Sequence, residues 1–367
     1  MMRYDPFSLA LSSPLDTAAG RIDAREGFLI RVDRDGHRGV GEATPLPGWT
    51  ESYDACEAAL ADGSGVAAGS GDGRRSGDDP DTDAAEPKRV PGVSTPAARH
   101  GVELARADAA ARAAGESLAT WLADEAPAAT VPVNATVGDA PPDATARATR
   151  EAVDAGYRAV KVKVGARPPD DDVARLRAVR EAAGDGVELR ADANGAWDRP
   201  AAERVLDAAA ALDFAYVEQP LDPTDLAGHA ALRGRGVDVA VDESLTAVGP
   251  DAVVEHGAAD VVVCKPMALG GPRRTHEIAR RAAARGIDAV ITTTIDAVVA
   301  RVGALHVAAA LPRVRACGLA TGDRLATDLA ADPAPVDDGE MPVPPGPGLA
   351  GDAFEAIRTG GGPTRSG

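Results

Sequence analysis

The chain has 367 residues, 44% of them hydrophobic, enough to bury a large core and to build two domains, or one large domain with an accessory one. With 57 acidic against 39 basic residues its formal net charge is −18, which excludes nucleic acid and anionic membranes as partners because both select for basic surfaces. The acidic excess is rich in Asp, spread along the chain and accompanied by Arg in place of Lys. This resembles proteins of salt-loving organisms, so the charge is read as solubility in salt and not as function.

The N-terminal stretch MMRYDPFSLALSSPLDTAAG has no basic start followed by an apolar run, and no segment approaches a membrane span; a cytoplasmic location is expected. GFLIRVDRDGHRGVGEATP, from Gly27, reads as two short strands around an Asp-Gly turn, a hairpin signature. Residues 61–92 are Gly, Ser, Asp and Pro with almost nothing to bury, so a disordered acidic loop is expected. From Thr95 an alanine-rich helical pattern with a Thr-Pro start follows. Together these predict a small α+β capping domain over residues 1–128.

Beyond residue 128 short apolar runs alternate with amphipathic helical patterns such as DDDVARLRAVREAAGDG. The runs begin at Val131, Arg158, Gly186, Phe214, Val237, Asp260, Ile287 and, more weakly, Val314. Eight runs at βα spacing predict an α/β fold with a TIM-type barrel over 129–331, rather than an open doubly wound sheet. The Pro- and Gly-rich tail, 332–367, is expected to return to the first domain. Cys56, Cys264 and Cys317 have no CxxC spacing and read as small buried hydrophobes; His100 and His306 fall in helical patterns and read as structural.

Barrel active sites lie at the C-terminal ends of the strands. There the runs end in Lys161 and Lys163, Asp192 and Asn194, Glu218, Asp242 and Glu243, then Lys265. Singly, each acid has an ordinary explanation as a turn cap, a solvated strand end or a helix first turn. Jointly, three acids on three consecutive strand ends are expected to converge, and they would repel one another unless a cation sat among them. Oxygen ligands without His or Cys suit Mg2+, or Mn2+. The chain has only four lysines, Lys88 and the three just named, and Lys161 and Lys163, two apart on one strand, share a face. Neighbouring ammonium groups and partial burial are expected to lower a lysine pKa and make a general base. A base on one side, a cation on the other and a metal between them is apparatus for removing a proton next to a carboxylate.

KVK (161–163), DAN (192–194), EQP (218–220), DES (242–244) and KP (265–266), in this order, closely resemble the enolase superfamily, muconate-lactonising subgroup. That superfamily's Lys base with Mg2+ is a known pairing. The resemblance implies a (β/α)7β barrel, with Asp192, Glu218 and Asp242 as metal ligands. It implies Lys163 as acid/base on one substrate face and Lys265 on the other, Lys161 tuning Lys163 or meeting the substrate carboxylate, and Asn194, Arg190 and Glu243 in support. ITTTIDAVVARVGALHVAAALP, GLATGDRLATDLA and LRADAN look like the o-succinylbenzoate synthases, which implies dehydration of a succinyl-bearing cyclohexadiene carboxylate in menaquinone synthesis. The rival is a dipeptide epimerase or acylamino-acid racemase; epimerases often carry an Asp-x-Asp after the last strand, where CGLATGDR offers only Asp323. The implied partner is a small carboxylate. Oligomeric state is left open.

Overall fold

The structure is a computed structural model that describes residues 1–17, 20–62 and 95–360. Of the loop expected over 61–92, residues 63–92 lie outside this set, while Ala61 and Asp62 close a helix.

The chain opens with β1 (Met2–Thr17), β2 (Gly20–Arg34) and β3 (His37–Ala43), an antiparallel sheet in that order. The β2–β3 hairpin turns at Asp35 and Gly36 with φ of 51° and 81°, the paired positive values that an Asp-Gly turn supplies. β1 carries Pro6 and Pro14, which an edge strand tolerates because one side of its backbone needs no ladder partner. Next come α1 (Tyr53–Ala61), α2 (Pro96–Ala114) and α3 (Leu118–Leu122). α2 packs directly on β3 because Gly39 and Gly41 lack a Cβ, which at either position would strike the carbonyl of Ala105 or Gly101.

β4 (Thr130–Pro132) leads into a curled seven-stranded parallel sheet whose strands are neighbours in sequence order. They are β5 (Asn134–Val137), β6 (Ala159–Lys163), β7 (Glu188–Asp192), β8 (Phe214–Glu218), β9 (Asp238–Val241), β10 (Val261–Cys264) and β11 (Asp288–Ile291). Helices α4 (Pro142–Asp154), α5 (Pro169–Ala183), α6 (Arg199–Ala211) and α7 (Leu226–Leu232) connect the earlier strands. α8 (Glu243–Ala247), α9 (Pro250–Glu255), α10 (Pro266–Leu269), α11 (Pro272–Ala283) and α12 (Val298–Ala309) connect or follow the later ones. β12 (Glu340–Pro342) pairs antiparallel with β4, and α13 (Glu355–Thr359) ends the described chain.

Strand alternation sets the two faces of this sheet. Val160, Val162, Leu189, Ala191 and Val217 are buried against Leu176, Val179, Val205 and Leu206 of the helices. Each such Val or Leu contributes about 1.5–3 kcal/mol of burial. The opposite face of the same strands carries Lys161, Lys163, Arg190, Asp192, Tyr216 and Glu218. The eighth run is not a strand. Cys317 and Gly318 make only single parallel bridges, one to Val133 and one to Thr292, with Cys317 N donating to Pro132 O at 2.8 Å and Gly318 N to Ile291 O at 2.9 Å. Arg313, just before the run, and Arg315 within it turn to Asp288.

Two buried carboxylates join the antiparallel sheet to its surroundings. Glu42 of β3 accepts from the backbone N of Ala297 and of Ala300, both at 2.8 Å, and so caps α12 from another segment. Burial, with Asp296 nearby, pushes the Glu42 carboxyl up to about 8. Asp108 of α2 accepts from Val40 N at 2.9 Å, Leu349 N at 2.8 Å and Arg358 Nε at 3.1 Å, which ties β3 and α13 to one side chain. All three cysteines are buried and free; His100 is buried in α2 and His306 in α12. No described helix is long and apolar enough to cross a membrane.

Candidate active site

Register delivers the first part of the site. Lys163 pairs with Asp192, and Asp192 with Glu218, so three charged side chains stand in one row at the C-terminal ends of β6, β7 and β8. Lys163 Nζ donates to Asp192 Oδ2 at 2.6 Å and to Asn194 Oδ1 at 2.8 Å. Lys161, one inward position below, sets its Nζ 3.0 Å from both Asp192 Oδ2 and Glu218 Oε2. Asn194 stands at φ 47°, a left-handed position that Asn tolerates, and passes the chain of contacts to Glu243 Oε1 at 2.9 Å. The second part comes from the next strands: Lys265 follows β10 and donates to Asp242 Oδ2, while the indole of Trp49 covers its Nζ at 3.7 Å from the ring centre.

Asp192, Glu218 and Asp242 are almost wholly buried. Burial alone would raise Asp192, but Lys161 and Lys163 hold it well below the usual carboxylate range. Glu218 is raised by burial and by Asp192, against the pull of Lys161. Asp242 is likewise raised by burial, reinforced by Glu243 and Glu218 and opposed by Lys265. The expectation that lysine pKa values fall here is corrected for Lys161. Burial lowers it, but Asp192 and Glu218 outweigh burial and lift it well above its usual value. Lys161 is held between these two carboxylates.

The expected convergence of three acids is met only in pairs. Asp192 and Glu218 meet on the Lys161 ammonium, whereas Asp242 turns to Lys265. Among the described residues no three carboxylate, imidazole or thiol groups are set to enclose an ion in this arrangement. The donor chemistry nevertheless fits a hard divalent cation. Three buried carboxylates supply only oxygen, and burial raises two of them, Glu218 and Asp242, with neighbouring carboxylates adding to it. Arg190 is not brought to the carboxylates. It lies beside Lys161 in register, inside the barrel, 2.6 Å from Glu188, donating to Ala316 O at 2.7 Å and stacked 4.9 Å over Tyr216.

Two residues act here that their own positions did not single out. Gln219, fully buried at φ 42°, accepts from Asp242 N at 3.0 Å and Ser244 N at 3.2 Å and donates to Ser244 Oγ at 2.9 Å. It fixes the backbone that carries Asp242 and Glu243; its only signal was its place inside EQP. Trp49, in PLPGW, lines a cleft of about 420 Å³ together with Thr50, Pro223, Glu243 and Thr246.

Residues 144–354 match the family described as enolase C-terminal domain-like. The chain belongs to that family. It is 38% identical over 218 residues to an o-succinylbenzoate synthase of Thermobifida fusca, covering 58% of this chain and 67% of that one. It is 40% identical over 221 residues to that of Mycolicibacterium smegmatis, covering 56% and 63%. The matched region thus spans about two thirds of these relatives' length. Among solved structures, a dipeptide epimerase from Methylococcus capsulatus complexed with Mg and dipeptide L-Arg-D-Lys is 26% identical, with TM-score 0.80, covering 95% of this chain and 98% of that one.

Proposed function

We propose that the protein is an o-succinylbenzoate synthase, a hydro-lyase that removes water from a succinyl-bearing hydroxycyclohexadiene carboxylate to give 2-succinylbenzoate. The observation that carries this reading is the disposition of Lys163 and Lys265 on either side of Asp192, Glu218 and Asp242, in a chain 38% to 40% identical to such enzymes. Lys163 is the partly exposed lysine, with 37% of its side chain open against 10% for Lys265, so it is the one able to meet a substrate proton. In its neutral form Lys163 Nζ takes the proton α to the ring carboxylate. As the adjacent C–O bond breaks, the same Nζ returns that proton to the departing hydroxyl. Water therefore leaves from the face on which the proton was taken, a syn elimination. Lys265, held between Asp242 and the Trp49 ring, acts as a fixed cation on the other face. Asp192, Glu218 and Asp242 would hold Mg2+, which when bound supplies positive charge to the substrate carboxylate as negative charge develops there.

An epimerase reading would use both lysines as bases. It finds less support because the bridge at Cys317 and Gly318 leads into Leu319, Ala320 and Thr321, with no acidic pair to grip an α-amino group. The test is an ultraviolet assay in high salt with Mg2+, offering the cyclohexadiene carboxylate and, in parallel, L-Ala-L-Glu in deuterated water. Aromatic product that is abolished by Lys163→Ala and by EDTA is the expected result. Deuterium entering the dipeptide without dehydration would overturn the dehydratase reading.

A further inference from the structure

Trp49 and Thr246 also line a second cavity, of about 300 Å³, together with Arg99, Leu245, Leu269 and Arg274 among others. Arg99 sits in the first turn of α2 and Arg274 in the first turn of α11, so the cavity lies between the antiparallel domain and the barrel. The two guanidinium groups are near each other: burial lowers the pKa of Arg274, and Arg99 lowers it further. Among the described residues neither side chain has an ion pair or a hydrogen bond.

The carboxylates facing Arg274 are Asp251, Glu277 and Glu103, of which Asp251 pairs with Arg281 at 2.6 Å. Glu51 accepts from Ala97 N at 3.0 Å and Ala98 N at 2.8 Å, capping α2. Glu103 accepts from Arg273 N at 3.0 Å, capping α11, and burial pushes its carboxyl up to about 7, so it offsets the arginines only in part. What remains is a concave space lined by two guanidinium groups without a hydrogen-bonded partner and by Trp49, whose ring also meets Lys265. Guanidinium pairs of this kind recognise carboxylates through paired N–H donors.

We propose that Arg99 and Arg274 form the subsite for the terminal carboxylate of the substrate's side arm, with Trp49 lining both that subsite and the cleft beside Glu243. The proposal rests on the dehydratase reading for its choice of a succinyl arm. The cavity is near the lower end of the range for small-molecule pockets, large enough for a short acid chain and too small for a second ring system. Arg274 is exposed, so its contribution is discounted for solvent, and each arginine is expected to be worth about tenfold in affinity.

The experiment is calorimetric titration of the full chain, in Mg2+, with 2-succinylbenzoate and with its side-arm methyl ester. The unsubstituted protein should bind the diacid at least about tenfold more tightly than the ester. Arg99→Ala and Arg274→Ala should each lose about tenfold for the diacid and leave the ester unchanged, with Arg→Lys losing less. Equal losses for both ligands, or none for either, would overturn the subsite. Should Arg99→Ala not fold, the exposed Arg274→Ala carries the comparison alone. Failure of the reaction reading is separable. Diacid preference tracking the arginines without any dehydration would refute the activity and keep the subsite, whereas an unchanged KM for dehydration in the arginine variants would do the reverse.

Discussion

Gln219→Leu tests whether Asp242, proposed above to hold the metal, is positioned by its own strand or held by a neighbour. Gln219 satisfies the backbone N of Asp242 at 3.0 Å and of Ser244 at 3.2 Å, in a site with no exposure to solvent. Leucine has similar bulk but no acceptor, so both N–H groups become buried donors without a partner, at about 1–3 kcal/mol each. The sum, about 2–6 kcal/mol, should lower the thermal midpoint in high salt by on the order of 5 °C or more. Release of the Asp242 backbone should also weaken Mg2+ activation about 10–100-fold, the usual effect of losing a group that orients a metal ligand. Gln219→Glu keeps an acceptor for the two N–H groups but sets a carboxylate against Leu221 O, where Gln219 Nε2 donates at 3.2 Å. It should retain more stability than leucine while still impairing Mg2+ activation. The assays are thermal unfolding with and without Mg2+ and the Mg2+ dependence of dehydration. If the leucine variant melts and responds to Mg2+ as the parent does, the reasoning is refuted.

Burial moves His306 down to about 4 from its ordinary 6.5, so the unfolded chain binds the proton more tightly. Stability from this group is present above about pH 6.5 and is lost as pH falls to about 4, by roughly 3 kcal/mol, so His306→Gln should flatten denaturation midpoints across that window. An unaltered slope would count against it. Arg358→Leu leaves the Asp108 carboxylate buried without its guanidinium partner and should cost about 3 kcal/mol in denaturant unfolding, with no change in KM if the variant is assayed well below its midpoint. The acidic composition predicts that thermal stability falls as KCl is withdrawn, and a melting temperature independent of KCl would contradict that reading.

The barrel was legible because its signal is local and repeated: an apolar run with a charged residue at its end, then a helical pattern. Asp192, Glu218 and Asp242 stood out for that reason, and the Lys161 and Lys163 pair followed from period two. What could not be read depends on contacts between distant segments. β1 is a strand because β2 offers it a partner, despite two prolines. Trp49 reaches Lys265 from the antiparallel domain, and nothing in PLPGW specifies that reach. Arg190 shares the inward face with Asp192 but sits one layer lower, where Tyr216 and Ala316 O hold it. The fall expected for lysine pKa values counted neighbouring ammonium groups and burial; the larger influence on Lys161 is the pair of carboxylates across two strands.

The bridges at Cys317 and Gly318 give the barrel a seam. Two isolated bridges close the ring between β11 and β5, whereas a continuous ladder joins β6 to β7 and an unbroken register joins Arg190–Asp192 of β7 to Tyr216–Glu218 of β8, where Lys163, Asp192 and Glu218 stand in one row. Thermal breathing of the wall is thus concentrated away from the row of charged groups. Amide exchange at Cys317 and Gly318 should outpace exchange at Val162 and Ala191, and a chain cut and rejoined near this seam would disturb the site least.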